Sequence, residues 1–366
     1  MQADIFCRVI DNLGDIGVTW RLARQLHAEK DWQIRLWLDN LSALRRLEPQ
    51  FNDSLKQQTR DGVEVLHWSQ DSSLDWSTVT PKDTVIASFS CDLPPAYIKQ
   101  MRPETRWLQL EYLSAESWVK AFHRQTSQRS DGLRPTFFFP GFEKETGGLL
   151  HEGELEIQRD AWQRDKGTQT AWLQHLGVQA PPLTRLGSVF TYDTAPLDAL
   201  LNALATESEP THLLVPQGVN MPAISGTVAT RVTWQSISFQ SQQDYDKLLW
   251  SMDFNLVRGE DSFVRAIWAG KPFIWQAYPQ EDGAHHKKIE AFLTLASFPE
   301  AVNRVTHAWS DALAAPELGD IFKKPVWNEW QQACSALSAR LAEQTDLASQ
   351  IDDYCREDAK KATKAP

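Results

Sequence analysis

The stretch DIFCRVIDNLGDIGVTWR, residues 4–21, decides the fold of this chain. An apolar run with β-strand character ends in a turn that carries Asp11, Asn12, Gly14 and Asp15, and a helical pattern follows at once. This order predicts the first strand and helix of a doubly wound α/β domain, which binds ligands outside the carboxyl ends of its strands. The turn matches neither GxGxxG nor the P-loop motif, so its two carboxylates favour a general base over a phosphate cradle.

A structural role for the same turn is an alternative. Gly14 allows the backbone to turn tightly. Asp15 stands where it could cap the following helix, since aspartate is a favoured N-cap residue. A helix needs only one cap, however, so capping leaves Asp11 unexplained.

The composition predicts a soluble two-domain protein. The 366 residues suffice for two domains, and a hydrophobic content of 42% supports full cores. The net charge of −11 argues against nucleic acid and against an anionic membrane surface as partners. The four cysteines lack metal-ligand spacing, and neither a signal peptide nor a membrane-spanning apolar run is present. We expect reduced thiols and a cytoplasmic location.

Strand-like and helix-like patterns alternate in two successive series, which predicts two Rossmann-like α/β domains with parallel sheets that face a central cleft. The predicted strands are 4–10, 33–38, 63–67, 84–89, 106–111, 183–190, 211–215, 231–238, 254–258 and 272–276. The predicted helices are 16–30, 41–48, 94–101, 115–124, 154–177, 196–206, 242–252, 261–269, 284–297 and 326–358.

The domain boundary is predicted at Ala180-Pro181-Pro182, a linker-like sequence. The N-terminal domain then comprises residues 1–180 and the C-terminal domain 181–358. The long helical pattern at 326–358 is expected to link the two domains, and the tail 359–366 is expected to be disordered.

The stretch FNLVRGEDSFVRAIWAGKPFIWQAY, residues 254–278, indicates an anion site in the second domain. A strand ends at Arg258, Gly259 makes the turn, and Glu260-Asp261-Ser262 open a helix whose free N–H groups can bind a phosphate. Arg258 adds a cation and Ser262 a hydroxyl, while one of the two acids would face a ribose hydroxyl or a sugar. The alternative is a cap formed by Asp261 or Ser262, with Arg258 paired to Glu260.

Two further patterns could bind metal, but neither is well suited to it. Asp244-Tyr245-Asp246 matches a DxD motif inside a helical pattern. His285-His286 stands beside Glu281 and Asp282 but lacks the i, i+4 spacing of a helical metal site, and adjacent side chains on a helix are expected to point apart. We therefore predict neither a metal nor another cofactor.

At these motifs the sequence resembles a known family. DNLGD followed by IGVTWRLARQL, together with RGEDSFVRAIWAGKPFIWQAYPQEDGAH, is similar to the bacterial protein-arginine rhamnosyltransferases that modify translation elongation factor P, the EarP family. The similarity extends through LEYLSAESWV (110–119), FFFPGF (137–142) and SVFTYD (188–193). It implies a GT-B glycosyltransferase that inverts configuration without a metal, with dTDP-β-L-rhamnose as donor and an elongation factor P arginine as acceptor.

The resemblance also implies roles for individual residues. Asp15 would be the general base, Asp11 would assist at the acceptor guanidinium, and Glu260 would be the third essential carboxylate, in the donor site. Phe239 is expected to pack on the thymine. The predicted donor-binding residues are Asn12, Leu13, Gly14, Tyr192, Phe239, Gln242, Arg258, Gly259, Asp261, Ser262 and Tyr278. We expect the first domain to bind the protein acceptor and the second domain to bind the donor.

The chemistry is consistent with these carboxylates. A guanidinium has a pKa above about 12, so it must be oriented and relieved of a proton before it can attack an anomeric carbon.

The residues around Phe137–Phe139 read either as a buried strand or as an ordered loop suited to a protein acceptor. Two other functions stay open: a GT-B enzyme with a small-molecule or lipid acceptor, and a nucleotide-binding or protein-interaction module without activity.

Overall fold

The computed structural model describes residues 1–9, 13–69, 74–181, 183–280 and 283–362. They form two compact units: unit 1 comprises Met1–Gly153 and Ala342–Pro366, and unit 2 comprises Glu154–Leu341. Each unit contains a largely parallel sheet with helices, as the alternating pattern predicts. None of the described helices combines the length and the apolar character that a membrane-spanning segment requires.

Unit 1 is built on one sheet. Its strands are β1 (Gln2–Cys7), β2 (Gln33–Leu38), β3 (Gln57–Arg60), β4 (Val63–His67), β5 (Thr84–Ser88), β6 (Arg106–Leu110) and β7 (Thr136–Phe138). In chain order its first four helices are α1 (Gly14–Lys30), α2 (Leu41–Leu47), α3 (Pro95–Ile98) and α4 (Trp118–Phe122). Among the described residues the strand order is β3-β4-β2-β1-β5-β6-β7, with only β3 antiparallel to its neighbour.

The centre of this sheet lies at β1. Ile5 is opposite Leu36 of β2 on one side and Ile86 of β5 on the other, so the strand order reverses at β1. All three of these side chains are buried, as expected for a parallel sheet covered on both faces. The buried carboxylate of Asp4 accepts hydrogen bonds from Arg35 Nε and Tyr97 Oη, both at 2.6 Å. The carboxyl end of β1 is therefore the switch point at which such a fold places ligands.

Unit 2 contains the second sheet. Its strands are β8 (Arg185–Val189), β9 (Thr211–Pro216), β10 (Val232–Ile237), β11 (Phe254–Arg258) and β12 (Phe273–Gln276). Its helices are α5 (Leu155–Arg164), α6 (Lys166–His175), α7 (Leu197–Ala205), α8 (Gly226–Arg231), α9 (Gln242–Ser251), α10 (Asp261–Ala269), α11 (Ala284–Ala296), α12 (Glu300–Ser310) and α13 (Lys324–Ala342). The described strands are all parallel, in the order β10-β9-β8-β11-β12. The order reverses between β8 and β11, so the switch point of unit 2 lies at their carboxyl ends.

The division between the units differs from the predicted boundary at 180/181. The predicted helix 154–177 is two helices, α5 and α6, because Asp165 ends the first and caps the second through Thr168. Trp162 Nε1 donates to Ser251 Oγ at 2.9 Å, and Gln163 donates to the carbonyl of Ala269 at 2.9 Å. These bonds attach α5 to unit 2, and the division falls at residues 153/154.

The C-terminal region also differs from its prediction. The pattern at 326–358 forms two helices, α13 in unit 2 and α14 (Leu347–Ala362), which belongs to unit 1. Trp32 Nε1 donates to Asp352 Oδ1 at 2.7 Å, and Thr136 Oγ1 lies 2.9 Å from the Tyr354 hydroxyl, so α14 packs on unit 1. Residues 359–362, expected to be disordered, continue α14, while 363–366 lie outside the described residues.

Three of the described strands and α-helices had no predicted counterpart. The polar sequence QQTR forms the edge strand β3, where alternation of apolar residues is not required. The helices α8 and α12 were not expected, although Val302, Val305 and Trp309 place buried apolar side chains at helical spacing. The segment at Phe137–Phe139 is mainly a strand, since β7 pairs with β6 through Leu110 and Phe138.

Candidate active site

The first candidate side chain, Asp15, lies in the first turn of α1 directly after the switch point of unit 1. The helix begins at Gly14, its N-cap position is Leu13, and Leu13 makes no side-chain capping bond. Asp15 is therefore not the N-cap, and the capping alternative is wrong. Its side chain is only 2% exposed, and its negative charge at this end of α1 is favoured by the helix dipole. Asp11 and Asn12 lie outside the described residues.

The surroundings of Asp15 contain a thiol that stays protonated. Cys7 ends β1 and is fully buried, and burial together with the negative charge of Asp15 raises its pKa well above the ordinary value. A hydrogen bond with Thr19 opposes this shift, and the Thr19 hydroxyl also donates to the Asp15 carbonyl at 2.7 Å. Because nucleophilic cysteine requires the thiolate, Cys7 is not suited to covalent catalysis.

Aromatic side chains near the ends of β6 and β7 give unit 1 an exposed apolar surface. Trp118 and Phe122 are 43% and 53% exposed, although both belong to the short helix α4. The ring of Trp118 meets that of Phe139 edge-on, with centroids 5.3 Å apart. Phe139 and Phe142 are buried, and Phe139 supports this surface through its contact with Trp118.

The second candidate turn joins β11 to α10 at the switch point of unit 2. Gly259 has φ 61°, a left-handed conformation that glycine adopts without strain. Trp275 Nε1 donates to its carbonyl at 2.8 Å. The Ser262 hydroxyl hydrogen-bonds the backbone of Arg258, and Glu260, at the N-cap position, makes no side-chain capping bond. Capping by Asp261 or Ser262 is therefore not what forms this turn.

The guanidinium of Arg258 has a defined position. Its central carbon lies 4.5 Å from the centroid of the Phe190 ring and 4.7 Å from that of the Tyr192 ring. Nη1 donates to the carbonyl of Thr191 at 3.1 Å. The two cation–π contacts and the hydrogen bond fix the side chain, and its planar group carries further donors that suit a phosphate.

The other predicted donor residues of unit 2 gather around this turn. Phe239 meets Phe190 edge-on at 6.1 Å, and Tyr278, which is 50% exposed, meets Tyr192 edge-on at 5.8 Å. Gln242 begins α9, and its Nε2 lies 3.4 Å from an Asp261 carboxylate oxygen. Unit 2 thus brings together Tyr192, Phe239, Gln242, Arg258, Gly259, Glu260, Asp261, Ser262 and Tyr278. Leu13 and Gly14 belong to the start of α1 in unit 1.

The DxD motif lies in α9, and protein cations bind both of its carboxylates. Asp244 Oδ1 lies 2.9 Å from Lys247 Nζ. Asp246 forms a two-pronged ion pair with Arg265 at 2.9 and 2.7 Å, with both side chains buried. A metal would have to compete with these cations: Asp246 pairs with a cation of α10, and Asp244 with one of its own helix.

The histidine pair differs from its prediction. The rings of His285 and His286 lie 4.1 Å apart between centroids, so the expectation that they point apart is wrong. His286 Nε2 lies 3.3 Å from Asp311 Oδ1, and one ligand atom from each of these three residues falls within 4.8 Å of the others. The backbone N–H of Gln280 donates to His285 Nδ1 at 3.2 Å. In a neutral ring this places the proton on Nε2, which then cannot coordinate a metal.

Two residues near this turn, Tyr245 and Gln276, were not predicted as site residues from the sequence. Tyr245 contacts Phe190 at 6.0 Å, and burial and the Asp261 charge raise the pKa of its hydroxyl, which stays protonated. Gln276 ends β12 and is fully buried. A polar residue at the end of an apolar strand (FIWQ) was the available signal for Gln276.

Comparisons with known proteins match this chain over nearly its whole length. The family described as "Elongation-Factor P (EF-P) rhamnosyltransferase EarP" matches residues 3–356. A protein-arginine rhamnosyltransferase of Pseudomonas putida is 44% identical, covering 96% of this chain and 98% of the relative. One of Pseudomonas aeruginosa is 40% identical with the same two coverages.

Solved structures agree in fold. A structure described as the "structural basis for EarP-mediated arginine glycosylation of translation elongation factor EF-P" has a TM-score of 0.65 and 34% identity, and covers 97% of this chain and 99% of that chain. Arabidopsis thaliana UGT89C1 complexed with UDP-L-rhamnose, 12% identical with a TM-score of 0.57 and 98% coverage of both chains, shares the fold alone. The two α/β units, each with a largely parallel sheet, are those of a GT-B glycosyltransferase fold. The chain belongs to the elongation factor P rhamnosyltransferase family, EarP.

Proposed function

We propose that this protein transfers an L-rhamnosyl group from dTDP-β-L-rhamnose to an arginine side chain of translation elongation factor P. The observation that carries the proposal is the similarity to protein-arginine rhamnosyltransferases over nearly the whole of both chains. We assign the acceptor chemistry to unit 1 and the donor chemistry to unit 2. Because its acceptor is a translation factor, we place the protein in the cytoplasm.

The acceptor role of unit 1 is supported by the position of Asp15. Its carboxylate follows the central strand at the switch point, and buried surroundings strengthen the electrostatic attraction of a guanidinium. We assign Asp15 as the general base that takes a proton from the attacking arginine nitrogen as the new C–N bond forms. Asp11, from the family resemblance, would bind another side of the guanidinium, which favours paired carboxylate contacts.

The donor role of unit 2 is supported by the turn from β11 to α10. The fixed guanidinium of Arg258 and the N–H groups at the start of α10 can stabilise the negative charge that develops on the leaving diphosphate. Phe239 and Phe190 offer aromatic faces for the thymine, and Glu260 would contact the sugar. The C–O bond to the diphosphate then breaks as the arginine nitrogen attacks, in one displacement that inverts the anomeric centre.

This assignment requires no metal, because Arg258 and the helix start supply the positive charge at the diphosphate. The carboxylates of the DxD motif, the usual metal ligands of that motif, form ion pairs with Lys247 and Arg265. We therefore propose that the transfer is metal-independent.

The decisive experiment is incubation of the protein with elongation factor P and dTDP-β-L-rhamnose, followed by intact-mass and peptide mass spectrometry. We expect one added deoxyhexosyl residue on one arginine, and none when that arginine is replaced by lysine. Parallel reactions with UDP- and GDP-sugars test the base, and NMR of the glycopeptide tests inversion. A protein that hydrolyses or transfers the sugar to small molecules but leaves the factor unmodified would instead be a GT-B enzyme with a small-molecule acceptor.

A further inference from the structure

Gln276 joins three segments at the switch point of unit 2. It is the last residue of β12 and is fully buried. Its Oε1 accepts a hydrogen bond from the backbone N–H of Tyr192 at 2.9 Å, and its Nε2 donates to Thr194 Oγ1 at 3.1 Å. Its carbonyl accepts from the N–H of Gly259 at 3.3 Å. One residue therefore contacts both the segment after β8 and the turn after β11.

The segment after β8, residues 190–194, is also held from β11. Arg258 donates to the carbonyl of Thr191 at 3.1 Å, and its guanidinium lies over the rings of Phe190 and Tyr192. Since β11 lies between β8 and β12, the Gln276 side chain crosses the end of β11 to reach this segment. Arg258 and Gln276 thus both contact this segment, from two neighbouring strands, and Tyr192 is the residue they share.

This arrangement has a consequence for Arg258 itself. Its guanidinium is held in part by contacts with two aromatic rings, and one of those rings belongs to Tyr192. The backbone of Tyr192 is fixed by Gln276. If the Tyr192 segment were released, Arg258 would lose one of its two stacking partners and sample more orientations. Ligand binding would then include the entropic cost of ordering the Arg258 side chain, so the affinity would fall.

We propose that Gln276 is a positioning residue for the nucleotide-sugar diphosphate, acting through Tyr192 and Arg258 rather than by contact with the donor. The inference rests on the proposed function, because it takes the diphosphate as the group that Arg258 binds. The Gln276 side chain contributes two hydrogen bonds to this segment, and loss of one net bond corresponds to about a tenfold change in an equilibrium constant.

The test is calorimetric binding of dTDP to Gln276→Met, which keeps the length of the side chain and removes both of its hydrogen bonds. We expect about tenfold weaker dTDP binding. We also expect a raised KM for the nucleotide sugar, with kcat changed less than KM. Thr194→Val removes only one of the two bonds, and a loss of about threefold is expected. This second variant keeps the test valid if Gln276→Met does not fold.

The matched control is Gln235→Met at the opposite edge of the same sheet. The Gln235 side chain also makes two hydrogen bonds, accepting from the Gln179 N–H at 3.2 Å and donating to the Gly177 carbonyl at 2.7 Å, and it is half-buried. Its dTDP affinity should match that of the wild type. If Gln235→Met lost as much dTDP affinity as Gln276→Met, the loss would reflect a general weakening of unit 2, and that result would overturn the inference.

A double-mutant cycle distinguishes positioning from an independent effect. In the Arg258→Ala background, Gln276→Met should cost less than about threefold, because the group it positions is absent. Hydrogen exchange at the Tyr192 amide should also become faster in Gln276→Met without ligand. Wild-type dTDP affinity in Gln276→Met, or full additivity with Arg258→Ala, would refute the positioning role alone. A folded wild-type protein that does not bind dTDP would refute the proposed donor, and the inference with it.

Discussion

The two units present the same structural feature with opposite charge. In unit 1 the chain passes from β1 into α1 at the switch point, and the first turn of the helix buries a carboxylate, Asp15. In unit 2 it passes from β11 into α10 at the corresponding point, and the strand ends in a guanidinium, Arg258. Neither helix has a side-chain cap at its N-cap residue. Fold topology therefore fixes where a site lies, while single side chains fix which ligand charge it accepts.

The largest expected effect comes from removing the negative charge in unit 1. Asp15→Asn should lower turnover by about 100-fold or more, the scale for loss of a general base, and leave dTDP affinity near that of the wild type. Steady-state kinetics and calorimetry measure the two quantities. Asp83→Asn is the control: its carboxylate pairs with Arg102 at 3.0 Å, and it precedes β5 at the other end of the sheet. Near-normal turnover of Asp15→Asn would remove the functional distinction between the two turns.

The second effect comes from removing the positive charge in unit 2. Arg258→Ala should weaken dTDP binding about ten- to hundredfold, because a hydrogen bond to a charged group contributes about 1.5–3 kcal/mol. Elongation factor P affinity should be unchanged. Arg231→Ala provides the control, since Arg231 also donates to a backbone carbonyl, that of Ser208 at 3.0 Å, but at the opposite sheet edge. Arg258→Ala that bound dTDP normally but lost the acceptor would reverse the assignment of the units.

A smaller effect is expected from treatments aimed at metals. EDTA should leave turnover within about twofold of its starting value, since Arg258 and the start of α10 provide the charge stabilisation. Asp244→Asn should be similarly mild, because a partly exposed ion pair such as that with Lys247 contributes little to stability. Strict dependence on Mg²⁺ or Mn²⁺, lost in Asp244→Asn, would show that unit 2 binds the diphosphate in another way.

The smallest effect concerns unit 1 alone and depends on pH. Burial and the neighbouring charge of Arg124 lower the pKa of His123 to about 4, while its Nδ1 accepts the backbone N–H of Phe139 at 3.1 Å. The unfolded chain has an ordinary histidine pKa near 6.5, so it binds the proton first as the pH falls. The stabilising contribution is thus complete above about pH 6.5 and is lost toward pH 4.

Urea unfolding at pH 7 and pH 5 measures this contribution. The free energy of unfolding should fall less between the two pH values in His123→Asn, whose Oδ1 can accept the same N–H without titrating. An equal fall in the variant and the wild type would show that His123 does not couple protons to the folding of unit 1.

The sequence predicted most of the parallel strands because their residues are apolar on both faces and end at glycine, proline or charged residues. Residues 33–38, 63–67 and 254–258 match β2, β4 and β11 at both ends. The edge strand β3 was missed because an exposed edge needs no apolar pattern. The boundary at 180/181 was misplaced because the proline pair marks a loop, whereas the hydrogen bonds of Trp162 and Gln163 that attach α5 to unit 2 leave no local signal.

The candidate site was predicted where chemistry follows directly from residue type. Arg258, Gly259 and Ser262 lie together as expected from their spacing. The stacking of Arg258 on Phe190 and the bond from Gln276 to Tyr192 depend on strands that are neighbours in space but distant in sequence. Such contacts across a parallel sheet have no periodicity that a single sequence could show.

The attachment of α14 to unit 1 constrains how the chain can fold as it is synthesised. Unit 1 is discontinuous: the indole of Trp32 finds its partner Asp352 only after all of unit 2 has been made. The contact between Trp32 and Asp352 joins residues that are far apart in sequence, so it raises the contact order, and a high contact order slows folding. Until then the N-terminal segment lacks its last helix and exposes surface that a nascent chain cannot cover, as happens in chains whose domains form in stages. Unit 2, continuous from Glu154 to Leu341, has no such requirement and is expected to complete its fold first.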